Sequence, residues 1–158
     1  MQFYNTLHRK KETFHPIHEG KITLYTCGPT VYDFAHIGNF RAYIFEDLLR
    51  RYLEYSGFEV MHIMNITDID DKTIRKSIEE NTSLKEFTDK FTQYFFDDVK
   101  TLNLLPAHEY PRATEFIKEM IQTIQVLEEK GFTYTTDDGS VFFKISQFEQ
   151  YGKLANLK

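Results

Sequence analysis

The sequence predicts an α/β fold built around a parallel sheet, and three segments in its first half carry that prediction. The segment KITLYTC, residues 21–27, has the composition of a short strand and runs into the turn-forming GPTVYD. The segment EVMHIMNI, residues 59–66, is an almost continuous apolar run, as expected of a strand covered on both faces. A helical pattern separates the two. Strand, helix and strand at this spacing form a βαβ unit, which predicts parallel strands with a right-handed crossover.

The helix between the strands is predicted over residues 40–55. Gly57 follows as a residue able to take the left-handed conformation that ends many helices. Apolar residues recur at three- and four-residue spacing, the signature of a helix with one buried face: they are Ile44, Phe45, Leu48, Leu49, Tyr52 and Leu53.

The second half of the chain is predicted to be mainly helical. Residues 83–104 begin with Ser83 and Glu86 in the pattern of a capping box. A further helix is predicted from Pro111, a residue that suits the first helical position, to Gly131. Residues 132–145 read as a β-hairpin around Asp138-Gly139. The last residues contain no recognisable closing element, so we expect the chain to be part of a longer protein.

Composition limits the classes of protein that the chain can belong to. It has 158 residues, 41% of them hydrophobic, which is ordinary for a globular domain with a sizeable core. There is no apolar run long enough to span a bilayer and no signal-peptide core, so we expect a cytoplasmic protein without membrane contact. A formal net charge of −5 gives no basic footprint for a nucleic-acid backbone, so any such contact must be local.

Several polar residues are predicted to meet at one edge of the sheet. Ligands of open parallel sheets bind at the carboxyl ends of the strands, where Cys27 and Thr67 stand. His36 and Gly38 begin the connecting helix, whose unpaired N–H groups and dipole favour a phosphate. The sequence therefore predicts a nucleotide- or anion-binding site at this edge.

Each motif alone also has a structural interpretation. A lone cysteine at a strand end is most often a small buried apolar residue, and Cys27 is the chain's single cysteine, which excludes an internal disulfide. His15 and His18 have ligand-like spacing but flank Pro16 in an expected loop. The acidic run of Asp68, Asp70 and Asp71 could hold Mg²⁺, yet acidic turns before helices are usually N-caps, and we favour the cap.

The motifs are far more specific in combination. The chain carries YTCGPTVYDFAHIGNFR, then NITDIDDK, then PRAT, then DDGSVFFKI followed by YGKL. In this order they resemble the cysteinyl-tRNA synthetases, a family of class I aminoacyl-tRNA synthetases, along essentially the whole chain. The resemblance implies a Rossmann-like parallel sheet: residues 1–130 would form the first half of the catalytic domain, and residues 131–158 would begin its connective insertion.

The resemblance also implies ligands and residue roles. The family must choose cysteine over serine, and a bound Zn²⁺ achieves this because zinc binds a thiolate far better than a hydroxyl. Cys27 would be one zinc ligand, with three more in the second half of the domain. His36 matches the first residue of the family's His-Ile-Gly-His signature and would donate to ATP phosphate, and Gly38 would allow close approach of the nucleotide. Asn39 departs from the usual second histidine, since an amide can donate but cannot become cationic.

The implied reaction joins L-cysteine to ATP, bound with Mg²⁺, and then to the terminal ribose of tRNA(Cys). Gly28, Thr30 and Thr67 match positions that line the amino-acid pocket, and we expect a monomer whose tRNA contacts lie mostly outside these residues. Three alternatives stay open. A mycothiol-type ligase would share the adenylation half, a small-molecule nucleotidyltransferase would share the His-x-Gly turn, and a non-catalytic fragment or paralogue would only bind nucleotide or a partner.

Overall fold

The computed structural model describes residues 1–157, which fall into two compact units. Pro16–Phe116 forms one unit and contains every residue proposed above for the site. Met1–His15 and the chain from Ile117 onward form the other. The elements in chain order are β1 (Gln2–Asn5), β2 (Lys10–Thr13), β3 (Lys21–Thr26), α1 (Ile37–Tyr55), β4 (Glu59–Met64), α2 (Asp71–Glu79), α3 (Leu84–Thr101), α4 (Ile117–Glu129), β5 (Thr133–Thr135) and β6 (Val141–Phe143).

The predicted βαβ unit is confirmed. β3 and β4 pair in parallel, in a register that runs from Lys21 opposite Glu59 to Thr26 opposite Met64, and α1 connects them. Burial alternates along β4, where Val60, His62 and Met64 are its buried residues. The prediction that this strand is covered on both faces is therefore wrong within residues 1–157. The apolar run holds one inward-facing set of side chains, and the other face is exposed or half-buried.

A third extended segment, residues 109–112, runs parallel to β4 on the side away from β3. The Met64 N–H donates to the Glu109 carbonyl at 3.1 Å, the Ile66 N–H to the Pro111 carbonyl at 2.9 Å, and the Ala113 N–H to the Ile66 carbonyl at 3.0 Å. The prediction of a helix from Pro111 is wrong, because this backbone is engaged with β4. A short 3-10 turn, Ala113–Phe116, follows, and α4 begins at Ile117.

Helix α1 begins three residues earlier than predicted because His36 caps it. It ends at Tyr55, as predicted, with Ser56 as C-cap and Gly57 at φ +90°. One side of α1 contributes Phe40, Tyr43, Arg50 and Leu53 to the interior. The predicted buried face is therefore largely wrong within residues 1–157, because four of its six apolar residues are exposed: Ile44, Phe45, Leu48 and Tyr52.

Helices α2 and α3 complete this unit. Asp70 caps α2 by accepting from the Thr73 N–H at 2.8 Å, which confirms the cap interpretation for this residue of the acidic run. Ser83 and Glu86 form the predicted capping box of α3, which ends at Thr101. The apolar stripe of α3 packs into the core, which consists of Val31, Phe40, Tyr43, Met64, Ile66, Phe87, Phe91, Phe95, Val99 and Ala107.

The other unit holds two antiparallel hairpins and α4. The β5–β6 hairpin confirms the predicted turn, with Gly139 at φ +83°. The β1–β2 hairpin was not predicted. The domain boundary at residue 130 stays a prediction. Across residues 1–157 we find no helix that combines the length and the apolar character needed to cross a membrane.

Candidate active site

A cavity of about 350 Å³ opens where β3 ends and α1 begins. Four of the site residues predicted from the sequence line it: Gly28, Thr30, His36 and Asn39. Cys27, Gly38 and Thr67 do not reach its wall. The remaining lining residues are Pro29, Tyr32, Asp33, Phe34, Ala35, Tyr43 and Lys72.

The stretch after β3 is pinned to the stretch after β4, so the two strand ends form one wall. The Val31 N–H donates to the Thr67 carbonyl at 3.1 Å, and the Thr67 N–H donates to the Pro29 carbonyl at 3.0 Å. These bonds pair Thr30 with Thr67 in a parallel bridge. The predicted meeting of the two strand ends is thus observed.

Gly28 is held closely against Asn65 within this wall. Its N–H donates to the Asn65 side-chain oxygen at 3.3 Å, and the Asn65 amide donates to the Thr67 hydroxyl at 3.1 Å. A Cβ on residue 28 would overlap the Asn65 carbonyl oxygen and would lie 2.8 Å from Cγ of Met64. Only glycine fits between the strand ends.

His36 occupies the mouth of α1 and the wall of the cavity at once. The ring Nδ1 of His36 accepts the Gly38 N–H at 3.0 Å, and the backbone N–H of His36 donates to Asn39 Oδ1 at 3.0 Å. Because Nδ1 accepts a hydrogen bond from a backbone donor, the neutral ring carries its proton on Nε2. His36 is therefore poised to donate through Nε2.

These bonds leave only the Ile37 N–H, of the first four N–H groups of α1, without a partner in the described chain, so the expectation of several unpaired donors is met by one group. The Gly38 N–H is used by the His36 ring, and the Asn39 and Phe40 N–H groups donate to the His36 carbonyl at 2.9 and 3.2 Å. The donors left near the cavity are side-chain groups. Among residues 1–157 the Asn39 Nδ2 group donates to no partner, while its Oδ1 accepts the His36 N–H.

Tyr43 forms part of the cavity wall two turns into α1, with 6% of its surface exposed. Burial, followed by the nearby Glu46 carboxyl and the Cys27 thiol, raises the pKa of its hydroxyl to about 12. The phenol stays neutral at physiological pH and can both donate and accept. Tyr43 was not among the residues predicted for the site, although it stands seven residues after His36 on the same helical face.

The rim beside α2 carries two lysines and one carboxylate. Lys72 lies 4.8 Å and Lys76 5.2 Å from the centroid of the Tyr32 ring. Lys76 also donates to Asp33 at 2.7 Å. This hydrogen bond is the main cause, and the hydrogen bond from the Phe34 N–H the second, of a lowered pKa of Asp33, which therefore remains ionised.

Cys27 lies at the carboxyl end of β3 with its thiol exposed. Its only hydrogen bond in the described part of the chain is a weak one to the Gly28 carbonyl, with sulfur and oxygen 3.8 Å apart. The interpretation of Cys27 as a buried apolar residue is thus wrong. Within residues 1–157 no group of three His, Cys, Asp or Glu side chains is arranged to hold a metal ion.

A buried polar layer lies beneath the carboxyl end of β3. His62, 3% exposed, shares a hydrogen bond of 2.9 Å between its Nε2 and the Thr26 hydroxyl. Its backbone N–H donates to His108 Nδ1 at 2.9 Å. Burial, then the charge of Arg50, lowers the pKa of His62, so the ring is neutral. Burial raises the pKa of the neighbouring Glu46 carboxyl.

Asp68 anchors the loop that carries Thr67 through partners that were not predicted from the sequence. Asp68 is 3% exposed and accepts from Arg112 Nε at 2.9 Å, from the Thr114 N–H at 2.9 Å and from the Thr114 hydroxyl at 2.6 Å. Arg112 also donates to Asp89 at 2.6 Å. The third extended segment is thereby locked to the site loop.

The fold and the site define a class of protein: an α/β domain whose parallel strands end at a cavity that also contains the first turn of the crossover helix. Residues 13–158 match the family described as tRNA synthetases class I (C) catalytic domain. The chain is 57% identical over 155 residues to a cysteine–tRNA ligase of Brachyspira hyodysenteriae, covering 98% of this chain and 32% of that protein.

Two further relatives give similar figures. A cysteine–tRNA ligase of Chlamydia pneumoniae is 52% identical over 99% of this chain and 33% of its own length. One of Thermococcus kodakarensis is 49% identical over 100% of this chain and 33% of its own length. The chain therefore belongs to the cysteinyl-tRNA synthetase family, and it spans about a third of the length of these relatives.

Proposed function

We propose that this chain is the ATP- and amino-acid-binding part of a cysteine–tRNA ligase, which activates L-cysteine with ATP and transfers it to tRNA(Cys). The observation that carries the proposal is the cavity at the strand ends. One wall of this cavity contains Gly28 and Thr30, which match amino-acid-binding positions of the family, and His36 and Asn39, which match ATP-binding positions. Family membership supplies the reaction that such a wall would serve.

The fold proposed for the complete domain is a Rossmann-like parallel sheet. β3, β4 and residues 109–112 lie side by side and parallel, which supports it. A sheet of this kind binds ligands at the carboxyl edge, where the cavity opens.

In the proposed activation step, the cysteine carboxylate attacks the α-phosphate of Mg²⁺-bound ATP and pyrophosphate leaves. The 3′-terminal ribose hydroxyl of tRNA(Cys) then attacks the carbonyl of the adenylate, and AMP leaves. Such a reaction needs positioning and charge stabilisation, with no covalent nucleophile from the protein. His36 Nε2–H and the Asn39 amide would donate to phosphate oxygens, and Gly38 would keep the His36 ring in place.

Thr30, in the cavity wall, would face the amino acid, and Thr67, paired with Thr30 through the backbone, would support that side of the pocket from outside the wall. Cys27 would supply one ligand to a Zn²⁺ whose other ligands come from residues outside this chain. The exposed thiol of Cys27 fits a metal site whose other ligands come from outside this chain, whereas a buried thiol would be out of their reach. A bound zinc ion selects a thiolate over a hydroxyl and so separates cysteine from serine.

We further propose that the protein acts as a monomer in the cytoplasm. A mycothiol-type ligase is the second candidate, since it would use the same adenylation wall and pass cysteine to an amino-sugar. A nucleotidyltransferase gives no reason for the blocks around Cys27 and Thr67. Transfer assays with tRNA(Cys) and with an amino-sugar acceptor separate the first two candidates, and turnover itself separates both from a binding-only paralogue.

The test uses a hybrid synthetase in which this chain replaces the matching third of the Brachyspira hyodysenteriae relative. We expect cysteine-dependent exchange of pyrophosphate into ATP, with serine far less effective. His36→Ala should slow exchange by about 10²- to 10³-fold, as for removal of one preorganised donor, and should leave zinc content unchanged.

His18→Ala is the matched control, because His18 is exposed and outside the cavity wall. A hybrid synthetase that folds but shows no cysteine-dependent exchange would overturn the proposed function. Near-normal exchange in His36→Ala would remove His36 from the mechanism and leave the function standing.

A further inference from the structure

Lys72 is a charged residue of the cavity wall to which neither the signature motifs nor the implied mechanism gives a role. It is the second residue of α2 and follows the acidic cap. No carboxylate of the described chain lies within ion-pair distance of its ammonium group, whose recorded contact is the face of the Tyr32 ring at 4.8 Å.

The charges around the cavity favour an anion beside Lys72. Asp33 is the only carboxylate in the wall as described, and Lys76 already neutralises it at 2.7 Å. Lys72 thus contributes a positive charge that no wall carboxylate offsets. The other polar groups of the wall include the His36 ring and the Asn39 amide, both available as donors.

The Tyr32 ring also restrains where Lys72 can reach. A lysine on an open surface samples many rotamers, whereas an ammonium group against an aromatic face is attracted to it and held. Lys76, one helical turn further on, lies against the same ring at 5.2 Å and is tied to Asp33. Of the two lysines against this ring, Lys76 is engaged in an ion pair and Lys72 is available to a ligand.

We propose that Lys72 binds the phosphate groups of ATP in this cavity, opposite the donors at the start of α1. The inference rests on the proposed function and adds to it a phosphate-binding residue. Lysine acts on phosphate as a compact point charge with three donors, so its effect should appear with charged nucleotides and vanish with the uncharged nucleoside.

The experiment titrates the wild-type chain and its variants with Mg-ATP and, separately, with adenosine, following binding by calorimetry or by backbone amide shifts. We expect Lys72→Gln to weaken ATP binding about tenfold, in line with a lost hydrogen bond between charged groups, and to leave adenosine binding unchanged. Lys72→Arg should restore most of the affinity, because it keeps the charge and the contact with Tyr32.

Arg75→Gln is the matched control: it removes a cation from the same helix that lies outside the cavity wall and pairs with the exposed Glu79, so ATP affinity should stay within about twofold of wild type. The dependence of ATP affinity on salt should become shallower in Lys72→Gln and not in Arg75→Gln.

Several outcomes would overturn the proposal. If Lys72→Gln weakened adenosine and ATP equally, Lys72 would act by shaping the Tyr32 loop. If a parallel titration showed that Lys72→Gln weakened only L-cysteine binding, the ammonium group would serve the amino-acid carboxylate and not ATP. Unchanged ATP affinity in Lys72→Gln, with ATP still bound, would refute the role of Lys72 and leave the proposed function intact. Absence of ATP binding by the wild-type chain would count against both.

Discussion

The imidazole Nδ1 of His36 accepts the backbone N–H of Gly38 at 3.0 Å, and the ring fills the space that a side chain on residue 38 would need. A Cβ there would lie 2.8 Å from His36 Cε1 and 3.0 Å from Nδ1. The absence of a side chain at Gly38 is therefore required by His36 itself, in addition to any requirement of a bound nucleotide. The ring that caps α1 is thus the same ring that we propose as a phosphate donor.

Gly38→Ala should separate activity from stability. Displacing the ring would cost a helix cap worth about 1 kcal/mol, while alanine gains about 1 kcal/mol of helix propensity over glycine. The melting temperature should change little, whereas pyrophosphate exchange by the hybrid synthetase should fall at least about tenfold because His36 Nε2 is misplaced. Ala42→Gly, on the exposed side of α1, is the control for propensity alone. Unchanged exchange in Gly38→Ala would contradict the proposed dual role.

Gly28→Ala should behave in the opposite way and destabilise the fold. Its Cβ would meet a backbone oxygen, that of Asn65, which cannot rotate aside as the His36 ring can. The strand ends would have to separate, at a cost of about 1–3 kcal/mol. Urea unfolding of both glycine variants measures the difference. Equal stability of Gly28→Ala and Gly38→Ala would show that the strand ends are softer than their hydrogen bonds indicate.

The sequence was a good guide where structure follows local pattern. The periodicity of residues 40–55 and the two apolar runs predicted the βαβ unit, and Ser83 with Glu86 predicted the start of α3. Pro111 misled because its local chemistry suits a helix start, while its conformation is set by hydrogen bonds to β4 more than forty residues earlier. A short polar segment such as 109–112 has no periodicity of its own to reveal a strand.

Arg112→Ala should be among the most destabilising changes in the unit Pro16–Phe116. It would leave Asp68, 3% exposed, without its cationic partner, and breaking a buried pair on one side typically costs about 3–5 kcal/mol. Asp68→Asn combined with Arg112→Ala should recover part of that loss, since the uncompensated charge is gone. Lys85→Ala, which removes an exposed ion pair to Asp89, is the control and should cost under about 1 kcal/mol.

A double variant no more stable than Arg112→Ala alone would contradict this account of Asp68. Urea unfolding followed by circular dichroism provides the measurement.

The candidate site was predictable only in part for the same physical reason. Motif residues on loops and at the first turn of a helix, such as His36 and Asn39, can be found from short patterns. Tyr43 enters the wall from two turns into α1. Lys72 enters it from the first turn of α2, as the last residue of NITDIDDK, and only the packing of α1 and α2 brings both to one cavity. The spacing of seven residues between His36 and Tyr43 was the one available signal.

His62 should make the chain less stable as the pH falls below neutrality. Its folded-state pKa lies below the ordinary value of 6.5 because of burial, then Arg50 and His108, against opposing effects of Asp47 and Glu54. The unfolded chain therefore binds a proton that the folded chain refuses, and stability is lost as the pH drops through about 6.5 toward the lower folded value. His62→Gln, which cannot titrate, should show a shallower loss between pH 7.5 and 5.5.

The comparison isolates the effect of His62, because Glu46 is present in both proteins. The raised pKa of Glu46 lowers stability as the pH rises above the ordinary value of a glutamate, which is the opposite trend. The exposed His18→Gln should keep the wild-type slope. Identical slopes in wild type and His62→Gln would exclude His62 as the source.

Zinc should bind weakly to the 158-residue chain and stoichiometrically to the hybrid synthetase. Protein zinc sites need three or four ligands, whereas residues 1–157 offer the exposed Cys27 and no cluster of three ligand side chains. One thiolate supplies a small part of the binding free energy and none of the enforced geometry, so dialysis should remove the metal from the chain.

In the hybrid synthetase, Cys27→Ser should lower zinc retention and weaken the preference for cysteine over serine together. Metal analysis after dialysis, paired with pyrophosphate exchange for both amino acids, measures the two effects. Stoichiometric zinc in the isolated chain would mean that His15, His18 or another histidine completes a local site, and Cys27 would then not be one ligand of a site shared with the rest of the enzyme.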